Sequence, residues 1–161
     1  MPYKFGKKSL SKLAGVHPKL VQTMHDALAM SDVDMGISCG LRTKEEQIEL
    51  VKSGASQTMN SKHLPQASDG YSHAIDFFCY TDSGRLSWEL PLYFKAMEHI
   101  RKAALRNKLP LRWGCCWHIP DMTDSRYGNI TCEALYGSYV DLRREQGRTP
   151  FTDAPHVEVG S

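Results

Sequence analysis

Nowhere in its 161 residues does the chain carry an apolar run approaching the ~20 residues of a membrane-spanning helix. The basic start, Met1 to Lys8, is followed by no apolar stretch of the secretory type, so the reading is of a soluble protein made in the cytosol without a signal peptide. Net charge is only +2 and the pI is near 8.3. That is too weak a field to argue for nucleic acid, and no stripe of aromatic and basic residues offers bases a stacking surface. It does suit a polyanionic surface. The five cysteines are an odd number, none is spaced CxxC, and Cys115 and Cys116 are adjacent. A disulfide framework is therefore excluded in favour of reduced, buried thiols. Repeats, low-complexity segments and linkers are also missing, which leaves one domain over residues 1–161.

What is present alternates between helical and extended patterns. Leu20, Val21, Met24, Ala27 and Leu28 fall on one face of a helix that Pro18 opens. Asp32 to Cys39 alternates as a strand. Thr43 followed by Glu46 is a capping box that starts a second helix, closed by Gly54. Residues 8–17 read as an irregular lead-in and residues 55–72 as a loop. His73 to Tyr80 is a strand with Ala74, Asp76 and Phe78 on one face. Glu89 to Asn107 is the strongest helix, Leu111 to Trp117 a short strand, Cys132 to Arg144 a helix, and Pro155 to Val159 a last strand. The expected fold class is α+β, a small antiparallel sheet flanked by helices. The long polar stretch 118–152 reads as an insertion or a lid.

Three short segments carry the chemistry: Ser61-Lys62-His63, His73-Ala74-Ile75-Asp76 and Asp153-Ala154-Pro155-His156. Two imidazoles and one carboxylate leave one position of a tetrahedral zinc open, the mark of a catalytic rather than a structural site. Strand alternation turns His73 away from Asp76, and Asp69 reads as a turn residue, so neither is preferred as a ligand. Asp153 has to lie on a turn before the last strand to reach the same metal as His156, and there it is placed to move protons. Glu158 alternates with His156 and could share the metal-facing side, but reads as a partner that orients an imidazole or as a solvated side chain before a ligand. His17, His25 and His99 read as structural or exposed, and His118 as a candidate for the cleft wall. A thiol hydrolase using Cys116 with His156 or His63 is the rival chemistry, and no sequence signature supports it.

The run Ile37-Ser38-Cys39-Gly40-Leu41-Arg42-Thr43-Lys44-Glu45-Glu46-Gln47, with Gly54-Ala55-Ser56, Ser61-Lys62-His63 and the terminal Asp153 to His156, resembles the zinc D-Ala-D-Ala carboxypeptidase and L-alanyl-D-glutamate endopeptidase family, which includes many phage endolysins. The resemblance implies a hedgehog/DD-peptidase-like domain. It implies His63, Asp76 and His156 as zinc ligands, Asp153 as the catalytic carboxylate, Arg42 as a catalytic and substrate-holding cation, and Ser61 and Trp117 as substrate contacts. Three departures stand out. His63 and Asp76 are thirteen positions apart, more than in the family pattern; Ser72 replaces a glycine; and Trp113-Gly114-Cys115-Cys116-Trp117 lacks the aspartate of Trp-Gly-Gly-Asp-Trp. The implied function is a zinc-dependent peptidoglycan peptidase, a monomer without membrane anchor, that leaves the host cytoplasm for the wall and cuts the stem peptide between L-Ala and D-Glu. The alternatives are a D-Ala-D-Ala carboxypeptidase and a non-catalytic zinc-bearing wall-binding module, which would have no need of Asp153.

Overall fold

The computed structural model describes residues 2–161. Its helices are α1 (Lys7–Leu13), α2 (Pro18–Met30), α3 (Lys44–Lys52), α4 (Leu90–Arg106) and α5 (Cys132–Glu145). Its strands are β1 (Met35–Cys39), β2 (Ala74–Tyr80), β3 (Leu86–Ser87), β4 (Leu111–Gly114) and β5 (Asp153–Val159). The sheet runs β1-β2-β5-β4 with every pairing antiparallel, and β3 attaches to β2. This is the α+β arrangement read from the sequence.

Period-two alternation divides β2 between two environments. Ile75, Phe77 and Cys79 are fully buried against the helices, whereas Asp76 lies on the other, partly open face. The helical layer is built on α2 and α4, whose Leu20, Met24, Met97 and Ile100 are inaccessible to solvent. Burying side chains of this size contributes about 1.5–3 kcal/mol each, which is what holds the sheet's inner face down. The hydroxyl of Tyr93 on α4 donates to the Phe77 carbonyl at 2.9 Å and so fixes the helix against the middle of β2.

Two elements differ from the sequence reading. The lead-in 8–17, expected to be irregular, belongs for the most part to α1, Lys7–Leu13. That helix has no side-chain cap and buries only Leu13, so local sequence gives it little signal. It lies on β1, an edge strand, and Ser9 Oγ accepts the Ile37 N–H at 3.0 Å, which occupies a donor that the edge would otherwise leave open. Asp153, expected on a turn, is the first residue of β5. It reaches the side of His156 because the β4–β5 ladder slips: Trp113 pairs with Val157, but the adjacent Gly114 pairs with Asp153. That irregularity does what the turn was expected to do.

The slip depends on Gly114 and Trp113. A Cβ at Gly114 would lie 2.1 Å from the Asp153 carbonyl oxygen, and Trp113 Nε1 donates to the Ala154 carbonyl at 2.8 Å. Gly114→Ala must push the start of β5 away and is expected to cost about 1–3 kcal/mol, read as a lowered urea midpoint. An unchanged midpoint would contradict this packing.

Candidate metal and active site

The open face of the sheet brings the sequence-selected residues together at Asp76. Its cross-strand partners are Cys39 on β1 and His156 on β5, so all three share that face. His63 reaches the same point from the loop after α3. Its Nε2 is 3.3 Å from Asp76 Oδ2, and His156 Nδ1 is 3.4 Å from Asp76 Oδ1. Asp153 joins the group, with ligating atoms of Asp76, Asp153 and His156 all within 4.8 Å of one another. The imidazoles of His63 and His156 stand 5.2 Å apart, centroid to centroid.

The far nitrogen of each ring is already engaged. His63 Nδ1 is 2.8 Å from the Gly40 carbonyl oxygen, which can only accept, so the network assigns the proton to Nδ1. His156 Nε2 is 2.8 Å from Glu158 Oε1, itself 6% exposed, and carries the proton on that side. Both assignments aim the lone pairs, His63 Nε2 and His156 Nδ1, at Asp76. Asp76 Oδ1 is buried with no hydrogen-bond partner. A buried carboxylate oxygen without a donor, between two imidazole lone pairs, is costly unless a cation completes the group. The residues present therefore fit a metal ion.

Local sequence explains the placement. Ser61 Oγ accepts the His63 N–H at 3.1 Å and caps the turn that presents the ring. The His63 carbonyl accepts the Arg42 N–H at 2.9 Å, and the Lys62 carbonyl accepts the His73 N–H at 2.8 Å. The loop between His63 and Asp76 is thus tied to the start of α3 and to β2. Ser72, where the family pattern has glycine, is buried and donates its hydroxyl to the Ala74 carbonyl at 2.9 Å.

Arg42 sits just ahead of the Thr43–Glu46 capping box, both halves of which form. Its guanidinium is aimed by three groups. Nη1 donates to Gln47 Oε1 at 2.7 Å, Nη2 donates to Cys39 Sγ at 3.4 Å, and Nη2 is 4.0 Å from Asp76 Oδ2. Gln47 is fully buried and passes its own amide hydrogens to Ser56 Oγ and the Thr58 carbonyl. Sequence reasoning singled out neither Gln47 nor Cys39. Gln47 falls at the end of the Arg42 motif, and the signal available was a polar residue at an inward-facing helical position.

Titration follows this geometry. For Asp76, burial opposes ionisation, but in the metal-free protein His156 and His63 take up protons beside it, outweigh the burial and hold the carboxyl well below the usual range. For His63, burial opposes protonation, but hydrogen bonds to Asp76 and Cys39 raise it to about 10 in the metal-free protein. His156 is also raised, its contacts with Asp76 and Glu158 overcoming burial. Asp153 is pushed up, first by burial and then by the charge of Asp76. The two carboxylates thus diverge, one held ionised and one drawn towards its protonated form.

A cleft of about 710 Å³ opens over these groups, with Arg42, Ser61, Trp117 and Phe151 among its walls. Trp117 stacks on Phe151 at 6.3 Å and tilts over His156 at 5.3 Å, and its Nε1 is buried without a partner. His118 is not on the wall; its Nε2 meets Ser138 Oγ at 3.1 Å instead. Cys115 and Cys116 are fully buried free thiols, each raised to about 12 principally by burial, so neither is poised as a nucleophile.

Comparison with known proteins agrees with this arrangement. The family model of the phage L-alanyl-D-glutamate peptidases matches residues 1–143, a span that ends before β5. The L-alanyl-D-glutamate peptidase of Escherichia phage T5 is 30% identical over 146 residues, which is 88% of this chain and 99% of that protein. The crystal structure of the Serratia marcescens L-Ala D-Glu endopeptidase ChiX matches with a TM-score of 0.64 and 27% identity, over 97% of this chain and 90% of that one. Together with the fold, these matches establish that the chain belongs to the phage L-alanyl-D-glutamate peptidase family.

Proposed function

We propose that the protein is a zinc peptidase that hydrolyses the L-alanyl-D-glutamate bond of peptidoglycan stem peptides. The observation that carries the metal reading is the partnerless, buried Asp76 Oδ1 between two imidazoles whose outer nitrogens are already bonded. His63, Asp76 and His156 are the ligands, a nitrogen-rich set with one carboxylate that suits zinc better than calcium or magnesium. Zinc in such a site supplies Lewis-acid activation of water and of a carbonyl.

The chain's own residues do the rest. Asp153, with its carboxyl raised by burial and by Asp76, takes a proton from the attacking water as oxygen bonds to the carbonyl carbon. It returns that proton to the amide nitrogen as the C–N bond breaks, leaving a carboxylic acid and an amine, and the acid's proton passes to the amine to give carboxylate and ammonium. Arg42, locked by Gln47 and Cys39, donates to the carbonyl oxygen as negative charge develops there. Ser61, Trp117 and Phe151 line the groove that receives the peptide. Within the stretch 118–152 read as an insertion or lid, α5 buries Cys132, Leu135 and Tyr139 in the core. The protein works as a monomer at the wall, reached from the host cytoplasm once the membrane is permeable.

Purified peptidoglycan is the test substrate. Digestion should expose new L-Ala carboxyl and D-Glu amino termini, cease with chelator and resume with zinc. Activity that survives complete metal removal contradicts the proposal, and new D-Ala termini would move it to a carboxypeptidase. Asp153→Ala is expected to keep its metal while kcat falls roughly 10²- to 10⁴-fold. Equal loss of metal and activity would make Asp153 a ligand instead.

The raised His63 sets a pH dependence for the metal-free protein. A group whose folded pKa lies above its ordinary value of 6.5 stabilises the fold below that value and loses the contribution as pH rises through about 10. Thermal melts in chelator should therefore fall in Tm between pH 6.5 and 10. Melts with zinc bound should lack this component, since the ring is then neutral throughout. Parallel curves with and without zinc would show that His63 is not a ligand.

A further inference from the structure

A second group of metal-type side chains lies outside this site. His17, Asp69 and His73 bring one ligating atom each to within 4.8 Å of the others. They come from three segments: the N-cap of α2, the loop between His63 and Asp76, and the residue before β2. His73 Nε2 is 2.8 Å and 3.1 Å from the two Asp69 carboxylate oxygens. The His17 ring stands edge-on to His73 at 5.2 Å and to Tyr71 at 6.3 Å. None of the three takes part in the chemistry proposed above. Strand alternation turns His73 away from Asp76, so one ion cannot serve both groups.

The backbone holds this cluster in place. The His17 N–H donates to the Ser72 carbonyl and the Ser72 N–H to the Gly15 carbonyl, each at 2.9 Å. Val16 and Ser72 form a parallel bridge. A turn with Gln66 N–H on the Tyr71 carbonyl at 2.9 Å, and Asp69 Oδ1 accepting the Tyr71 N–H at 3.0 Å, presents the carboxylate. Solvent reaches it freely enough for an ion to enter, the side chains of His73 and Asp69 being 17% and 31% exposed.

We propose that His17, Asp69 and His73 form a second transition-metal site, which pins the 64–72 loop to the start of α2. Two imidazoles and a carboxylate select zinc, nickel or copper over calcium and magnesium, which prefer oxygen donors throughout. Binding has a local cost: the Lys19 N–H now caps on His17 Nδ1 at 3.1 Å. That bond is lost whichever ring nitrogen ligates, since Nδ1 then either binds the metal or carries the proton. The site is accordingly weaker than the one at Asp76. Without metal, His73 and Asp69 remain a hydrogen-bonded pair. Loading the site stiffens the loop that also carries the Lys62 carbonyl to His73 N–H bond at 2.8 Å, next to His63.

Zinc titration of the stripped full-length protein tests this, with bound metal counted by mass spectrometry and the thermal melt followed alongside. The native protein should take up one zinc beyond that lost on Asp76→Asn. The double variant His17→Asn/His73→Gln should lose that additional ion and keep the one at Asp76. His17→Asn alone retains a capping side chain, so the fold is preserved, and should weaken the additional site by roughly tenfold or more. Cupric ion added to Asp76→Asn should show imidazole nitrogen couplings in its electron paramagnetic spectrum that vanish in the triple variant. Equal zinc content in the native protein and His17→Asn/His73→Gln, with one ion lost on Asp76→Asn, would overturn the second site and leave the first standing. No loss on Asp76→Asn would count against the first site alone.

Discussion

A carboxylate in the middle of a sheet face is the constraint around which this protein is arranged. Asp76 is flanked on both sides by strands, directly opposite His156 and Cys39, and cannot turn away to solvent as a loop aspartate can. Its ionised form is favoured by His63 and His156, which approach within 3.3 Å and 3.4 Å, and by the Arg42 guanidinium 4.0 Å away. Removing either imidazole would strip part of the compensation from a largely buried charge, which is costly. The opposite side chains of β2, Ile75, Phe77 and Cys79, are held under the helices, which fixes the face on which Asp76 must appear.

From that point the arrangement spreads outward through hydrogen bonds that each have one sensible direction. The Gly40 carbonyl and the Glu158 carboxylate can only accept, so they set which nitrogen of each imidazole stays bare. The Gln47 amide accepts from Arg42 and donates to the loop at Ser56 and Thr58, so the arginine is aimed by a residue that touches no part of the cleft centre. Asp153 is delivered by a slipped ladder that needs the missing side chain of Gly114. In the proposed mechanism, helix start, loop and strand thus supply one function each: a cation, a ligand and a proton carrier.

The parts legible in the sequence were those with local or periodic causes. Capping at Thr43, Pro18 at the first turn of α2 and the long apolar stripe of α4 all recur as read. Asp76 and His156 could be named from residue type and motif, and their meeting follows from antiparallel pairing. Other features were not legible because their causes are distant in sequence. The helix α1 forms against β1 with almost no signal of its own, through Ser9 and the Ile37 N–H. Asp153 reaches the site through a register slip that no alternation pattern encodes. Cys39 enters the arginine's surroundings only because β1 pairs with β2 at Asp76.

The central claim is that His63 Nε2, His156 Nδ1 and the Asp76 carboxylate share one metal ion. Anomalous diffraction from zinc-loaded crystals, collected on both sides of the zinc absorption edge, tests it most directly. The account predicts a zinc-specific peak between those three groups, with the Glu158 carboxylate still on His156 Nε2. A peak absent from that position, or one placed between His156 Nε2 and Glu158, would contradict it.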